Sequence, residues 1–191
     1  MKKILVVDFN GTSSVYTHYL ANGIKQSNVD VKILGKMKLE FLDVFQDTNE
    51  YVSSKTNVKL VDYVINWCWL LVNYRKFDGI IIQWLQLIQY TSLEIHLVNY
   101  LQKRTKLLYI VHNLYPHNSK SIKIKKRYNN LYKKIKNIAV QTNEIKNTIS
   151  KINVSKSITK IQHGLFFKEF REGNLNIVPN SKCLLIGYIS K

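Results

Sequence analysis

KLLYIVHNLYPHN, residues Lys106–Asn118, is an apolar run that stops abruptly in polar residues. Leu107–Val111 is uncharged throughout, His112-Asn113 follows at once, and Pro116-His117-Asn118 comes next. A strand buried on both faces of a parallel sheet reads as such a run. Ligands in open parallel sheets gather beyond the carboxyl ends of the strands. His112, Asn113 and His117 are therefore candidates for function. The plainer alternative is that both histidines only satisfy backbone groups of the loop.

The residues on either side repeat the theme. Lys3–Phe9 reads as a strand, and Asn10-Gly11-Thr12-Ser13-Ser14 as a turn whose hydroxyls can cap a helix. Val15, Tyr19, Leu20 and Ile24 recur at helical spacing, so Val15–Gln26 is a helix, and Val29–Gly35 is the second strand. Strand, glycine-containing turn, helix and strand open a βαβ unit. Phe41, Leu42 and Phe45 predict a short helix followed by a polar loop. Val58–Tyr74 is apolar nearly all round, which predicts a helix buried between layers. Ile80–Trp84, Leu107–Val111 (the expected central strand), Ile138–Gln141 and Ile158–Gln162 are further strands. The helices between them are Leu93–Leu101, Ser121–Ile135 and Asn143–Ile152, the last capped by Asn143. This alternation predicts an α/β fold, a Rossmann-like, doubly wound parallel sheet with helices on both faces.

Residues 1–172 form the expected domain, 173–181 a connector, and 182–191 the first strand of something new. Cys183–Gly187 is a fresh apolar run. A lone strand without a following helix has little to pack against, so the expectation is a fragment that ends just inside a second domain.

The 191 residues are 46 % hydrophobic, enough for a sizeable core, and no apolar run approaches the ~20 residues of a membrane span. The MKKILVV start meets Asp8 and Asn10 instead of a cleavage site, so it reads as the first strand of a cytoplasmic protein. The two cysteines, Cys68 and Cys183, sit in apolar surroundings with neither disulfide nor metal-ligand spacing, and are expected in the core. The formal charge of +17 predicts attraction to polyanions, either nucleic acid or anionic lipid head groups. Lys120–Lys136 concentrates that charge on one helix without an acid. Lys123, Lys126, Arg127, Lys133 and Lys134 flank an apolar stripe of Ile124, Tyr128, Leu131, Tyr132 and Ile135. Such a helix either turns its stripe to the sheet with solvated lysines, or docks its flanks on an anionic membrane surface.

Four patterns occur in order: Asp8-Phe9-Asn10-Gly11-Thr12 leading into a helix, His112–His117 after a strand, Lys160-Ile161-Gln162-His163-Gly164, and Leu184-Leu185-Ile186-Gly187. Together they resemble the N-terminal half of a family 4 retaining glycosyltransferase of the GT-B fold, which has two facing Rossmann-like domains. The resemblance covers essentially the whole chain. It implies an acceptor-binding domain. The missing C-terminal domain would hold most of a nucleotide-sugar donor. Transfer would proceed with retention in the cleft between the domains, in surface polysaccharide or glycan biosynthesis, with no cofactor and no essential metal; a lipid-linked acceptor at the inner face of the membrane is what the basic helix adds to this expectation. It implies that His112 contacts the transferred sugar or acceptor and is the candidate catalytic residue. Gly11, Thr12 and Ser13 would approach the donor phosphates, and Asn10, Asn113 and His117 would contact acceptor. His163 and Gly164 would shape the passage between domains. Where the family has a glycine pair, this chain has Ser13-Ser14, whose side chains hinder close approach of backbone to phosphate. The fragment alone is expected to be inactive.

Two other readings fit less well. A nucleic-acid module would suit the charge and the 12 tyrosines, but neither an RNA-recognition signature nor a helix-turn-helix pattern is present. A dinucleotide-dependent enzyme would need G-x-G-x-x-G in the first loop and an acid at the end of the second strand, and this chain has neither. His18 and His96, on helices, are expected to pack, without a role in function.

Overall fold

The computed structural model describes residues 1–9, 11, 14–35, 50–52, 56, 58–116, 121–153 and 157–161. Among these residues seven strands run β1 Lys3–Asp8, β2 Asp30–Gly35, β3 Glu50–Val52, β4 Gly79–Ile82, β5 Lys106–Val111, β6 Asn137–Val140 and β7 Ser157–Lys160. Five helices run α1 Ser14–Lys25, α2 Lys59–Asn73, α3 Leu93–Gln102, α4 Ile122–Lys134 and α5 Asn143–Ile152. All strand pairs are parallel, in the order β3-β2-β1-β4-β5-β6-β7. The expected Rossmann-like α/β sheet is the fold of the described residues. The middle strand is β4, and β5 is its neighbour.

The side-chain period of two in a strand divides the core. Leu5 and Val7 of β1 and Leu34 of β2 join Trp67 and Leu70 of α2, Ile95 and Val98 of α3, Tyr128 and Leu131 of α4, and Ile149 of α5. Val6, Val31 and Ile33 point the other way, onto Ala21 of α1. Helices α2 to α5 thus form one layer and α1 lies on the opposite face. The chain reverses direction between β1 and β4, because β1 is followed outward by β2 and β3 while α2 carries the chain back to β4. That reversal is the switch point at which parallel sheets leave a crevice.

Four local expectations need correction. Helix α2 is not enclosed: Tyr63, Asn66, Trp67 and Leu70 are buried, but Val61, Val64, Ile65 and Val72 face outward. Among the described residues one helical layer covers this face of the sheet, and the far side of α2 is exposed. Cys68 shares that outer side and is exposed, not in the core. Strand β3 falls in the predicted polar loop; three residues cannot show a periodicity, and they form a strand only because they pair with β2, where Lys32 Nζ meets Glu50 Oε1 at 2.6 Å. The cap of α5 is Thr142, not Asn143: its Oγ1 accepts from the Ile145 N–H at 3.2 Å. Thr142→Ala is expected to cost about 1 kcal/mol in a urea melt, while Asn143→Ala stays near wild type. The predicted helix around Phe41–Phe45, residues 173–191, Cys183, His163 and Gly164 lie outside the described residues.

Candidate functional site

Because the strands are parallel, their carboxyl ends share one edge. Asp8 ends β1, Gln83 follows β4, His112 follows β5 and Gln141 follows β6. Gln83, His112 and Gln141 meet, and Thr17 joins Asp8 to them. Thr17 of α1 donates its hydroxyl to Asp8 Oδ2 at 3.0 Å, and Gln83 Nε2 donates to Thr17 Oγ1 at 2.9 Å. His112 Nε2 lies 3.3 Å from Gln83 Oε1, and Gln141 Nε2 lies 3.0 Å from His112 Nδ1. Asp8, Thr17 and Gln83 are buried; His112 is half-buried at the outer end of the chain of contacts.

The order of donors in this chain has a consequence for His112. A carboxylate only accepts, so the Thr17 hydroxyl points at Asp8 and offers its lone pair to the Gln83 amide nitrogen. Gln83 must then turn its carbonyl oxygen to His112, which places the imidazole proton on Nε2. Nδ1 is left to accept from Gln141. Both ring nitrogens of His112 are thus engaged by protein groups.

Aromatic walls complete the setting. Trp84 stacks on the His112 ring at 5.1 Å between centroids and 5° between planes. Tyr16 meets it edge-on at 4.6 Å and 85°. Burial raises the Tyr16 hydroxyl above its ordinary pKa, opposed in part by a hydrogen bond with Gln141, so Tyr16 stays protonated and able to donate.

The first loop is a tight turn. Gly11 takes φ +62°, a left-handed conformation that glycine adopts without strain. Its N–H donates to the Asp8 carbonyl at 2.9 Å, and its carbonyl accepts the Ser14 hydroxyl at 2.8 Å. The Gly11 N–H is thus taken up inside the turn. Asn10, Thr12, Ser13 and His117 lie outside the described residues. Asn113, half-buried, follows His112 on the same loop.

Of the predicted residues, the structure brings Gly11 and His112 to one edge, as the parallel sheet requires. Sequence reading missed Asp8, Tyr16, Thr17, Gln83, Trp84 and Gln141. Gln83, Trp84 and Gln141 were placed inside strands that in fact end one or two residues earlier. Taking the first polar residue after each apolar run would have found Gln83, His112 and Gln141 together. His18 is buried on α1, 3.0 Å from Asn22 through Nε2, in keeping with a packing role; His96 is exposed on α3. On α4, Lys123, Lys126 and Lys133 are exposed, while Tyr128, Leu131, Tyr132 and Ile135 turn to the sheet. Arg127 departs from the expected solvated patch: its Nη1 donates to the Gln89 carbonyl at 2.7 Å. Lys134 is half-buried. Among the described residues, no three His, Cys, Asp or Glu side chains gather closely enough to share a metal ion. No helix among them is long and apolar enough to cross a membrane.

No family model and no curated protein matches the chain. Among solved structures, the complex of S. aureus MnaA with UDP superposes with a TM-score of 0.59 at 13 % identity. The likeness is one of fold. It takes in 83 % of this chain and 43 % of MnaA, so the chain spans less than half of that protein. A two-domain Anabaena variabilis protein with DJ-1/ThiJ/PfpI-like and ferritin-like domains reaches a TM-score of 0.40 at 12 % identity, over 85 % of this chain and 40 % of that one. That overlap is too loose to carry an argument.

Proposed function

We propose that the chain handles a nucleotide sugar, as the acceptor-side domain of a retaining glycosyltransferase. The observation that carries the reading is the convergence of Asp8, Gln83, His112 and Gln141 at the carboxyl ends of four parallel strands. A polar set with a fixed donor order, walled by Trp84 and Tyr16, suits a sugar, whose hydroxyls need oriented partners and whose C–H face packs on aromatic rings. The UDP in the similarly folded MnaA supports a uridine nucleotide as the donor class.

In this reading, His112 binds and orients, and does not act as a general base. Both of its ring nitrogens are engaged, and a sugar hydroxyl would enter by replacing the Gln141 amide at Nδ1. The start of α1 faces the same edge, where its positive dipole end would favour a leaving diphosphate, with Thr12 and Ser13 on the donor side. Asn10, Asn113 and His117 would contact the acceptor, and His163 and Gly164 would lie towards the second domain. Transfer breaks the bond from the anomeric carbon to the phosphate oxygen and forms one to an acceptor hydroxyl on the same face, the hydroxyl proton leaving with the diphosphate.

The test is an amide NMR titration of the chain with a UDP-hexose, with UDP and with free hexose. Shifts centred on Gly11, Trp84 and His112 are expected with the UDP-hexose. His112→Ala should weaken binding by about ten-fold or more, since a hydrogen-bonded side chain contributes ~1–3 kcal/mol. Shifts that map elsewhere, or binding that is unchanged in His112→Ala, would retire the reading.

A further inference from the structure

The outer side of α2 carries Val61, Val64, Ile65, Cys68 and Val72, spaced at three, four and seven residues along about three turns. All are exposed, Val72 by 78 %. The stripe extends to Val58 and Leu60 at the beginning of the helix. Along the same edge of the layer stand Tyr90, Leu93 at the start of α3, and Ile122 at the start of α4, the last 70 % exposed. Scattered apolar residues on a surface are ordinary, but a continuous stripe on one helix marks an interaction surface.

The exposed charges along α2, α3 and α4 are one-sided, and the layer's exposed acid, Glu144, stands apart from them at the start of α5. Helices α2, α3 and α4 contain two acids, Asp62 and Glu94, and both are buried. Their exposed charged groups are all cationic: Lys59 on α2 and Lys123, Lys125, Lys126 and Lys133 on α4. Lys103 and Arg104 beyond α3 add to them.

We propose that this helical layer docks on an anionic lipid bilayer, with the α2 stripe entering the boundary between head groups and acyl chains and the α4 lysines resting on the phosphates. Charge decides among the occupants of the face. A second copy would bring the same cations into contact, in a chain of formal charge +17. A nucleic acid would pair with the lysines but leave the stripe of valine, isoleucine and leucine against its phosphates. An anionic bilayer accommodates both, since apolar area and cationic flanks are what bind interfacial helices. The inference stands apart from the nucleotide-sugar reading, because it uses none of the residues around His112.

Flotation of the full chain with neutral phosphatidylcholine vesicles, and with vesicles holding roughly 30 % phosphatidylglycerol, tests this. Binding is expected only to the anionic vesicles and should fall steeply with salt. The Lys123→Glu/Lys126→Glu variant should lower partitioning about twenty-fold or more. The Val64→Asp/Val72→Asp variant should lower it as strongly while leaving the melting temperature unchanged, because both side chains are exposed. Equal binding to both vesicle types, no binding to either, or full binding by either variant would overturn the proposal. So would sedimentation of the free chain as a dimer that Val64→Asp/Val72→Asp dissociates, or a nucleic acid outcompeting anionic vesicles for the face.

Discussion

The stability gap between the wild-type chain and Glu94→Gln is expected to change by about 3 kcal/mol between pH 4.5 and pH 8.5, with the wild type losing ground as pH rises. Glu94 sits in the first turn of α3, fully buried. The Tyr63 hydroxyl and the Trp67 indole N–H, the latter 3.3 Å away, both donate to its Oε1, and its Oε2 is buried as well. Burial pushes the carboxyl up to about 7, and the donors from Tyr63, Trp67 and the backbone at Leu87 and Ile88 only partly oppose it. The unfolded chain has an ordinary glutamate near ~4.3. Between those values the folded chain holds a proton that the unfolded chain has lost, so stability falls as pH rises through this window. Below it both states are protonated and the penalty vanishes; above about 7 it is complete. Glutamine does not titrate, so any constant packing cost shifts its curve without changing its slope. Urea melts of both proteins across this range measure the gap, and parallel profiles would contradict the assignment of a raised carboxyl.

Gly35→Ala should be the most damaging small substitution in the sheet. Gly35 ends β2 opposite Asp8, at φ +153°. A Cβ built there would stand 2.1 Å from the Asp8 carbonyl oxygen and 2.9 Å from its carbonyl carbon, and both are backbone atoms that cannot rotate away. Relief requires β1 and β2 to part at their carboxyl ends. Overpacking against backbone and a strained φ together are expected to cost about 3 kcal/mol or more. Displaced backbone at Asp8 would also carry off the first link of the chain that orients His112, so the side-chain NMR signals of His112 and Gln83 should move as well. Gly23→Ala is the control. It lies inside α1 with nothing within 4 Å of its added methyl, and should stabilise by roughly 0.5–1 kcal/mol. A Gly35→Ala chain as stable as wild type would mean that the β1–β2 register is not as described.

The parts of the fold that were legible in the sequence share a cause. Leu107–Val111, Lys3–Asp8 and the amphipathic helices announce themselves because their burial is set by neighbours a few residues away, through periods of two and 3.6. Strand β3 had no such signal, since its three residues depend on β2 for their hydrogen bonds. The outer side of α2 was misjudged for a related reason: apolar composition shows what a helix could bury, and only the number of layers around it decides what it does bury. His112 stood out because histidine is conspicuous, whereas Gln83 and Gln141 are ordinary residues whose importance lies in what they touch.

The local order of elements, the excess of cations and the placing of His112 just beyond a strand are properties of the chain read in one dimension, because they arise from residues adjacent or a helical turn apart. The joining of Asp8, Thr17, Gln83, His112 and Gln141, residues up to 133 positions apart, is not. It exists because parallel strands bring all their carboxyl ends to one edge, and the pairing of β1 with β4 and of β5 with β4 and β6 selects which loops become neighbours. The tautomer of His112 follows from that assembly alone, for its proton is assigned by a donor order that begins at a carboxylate on another strand.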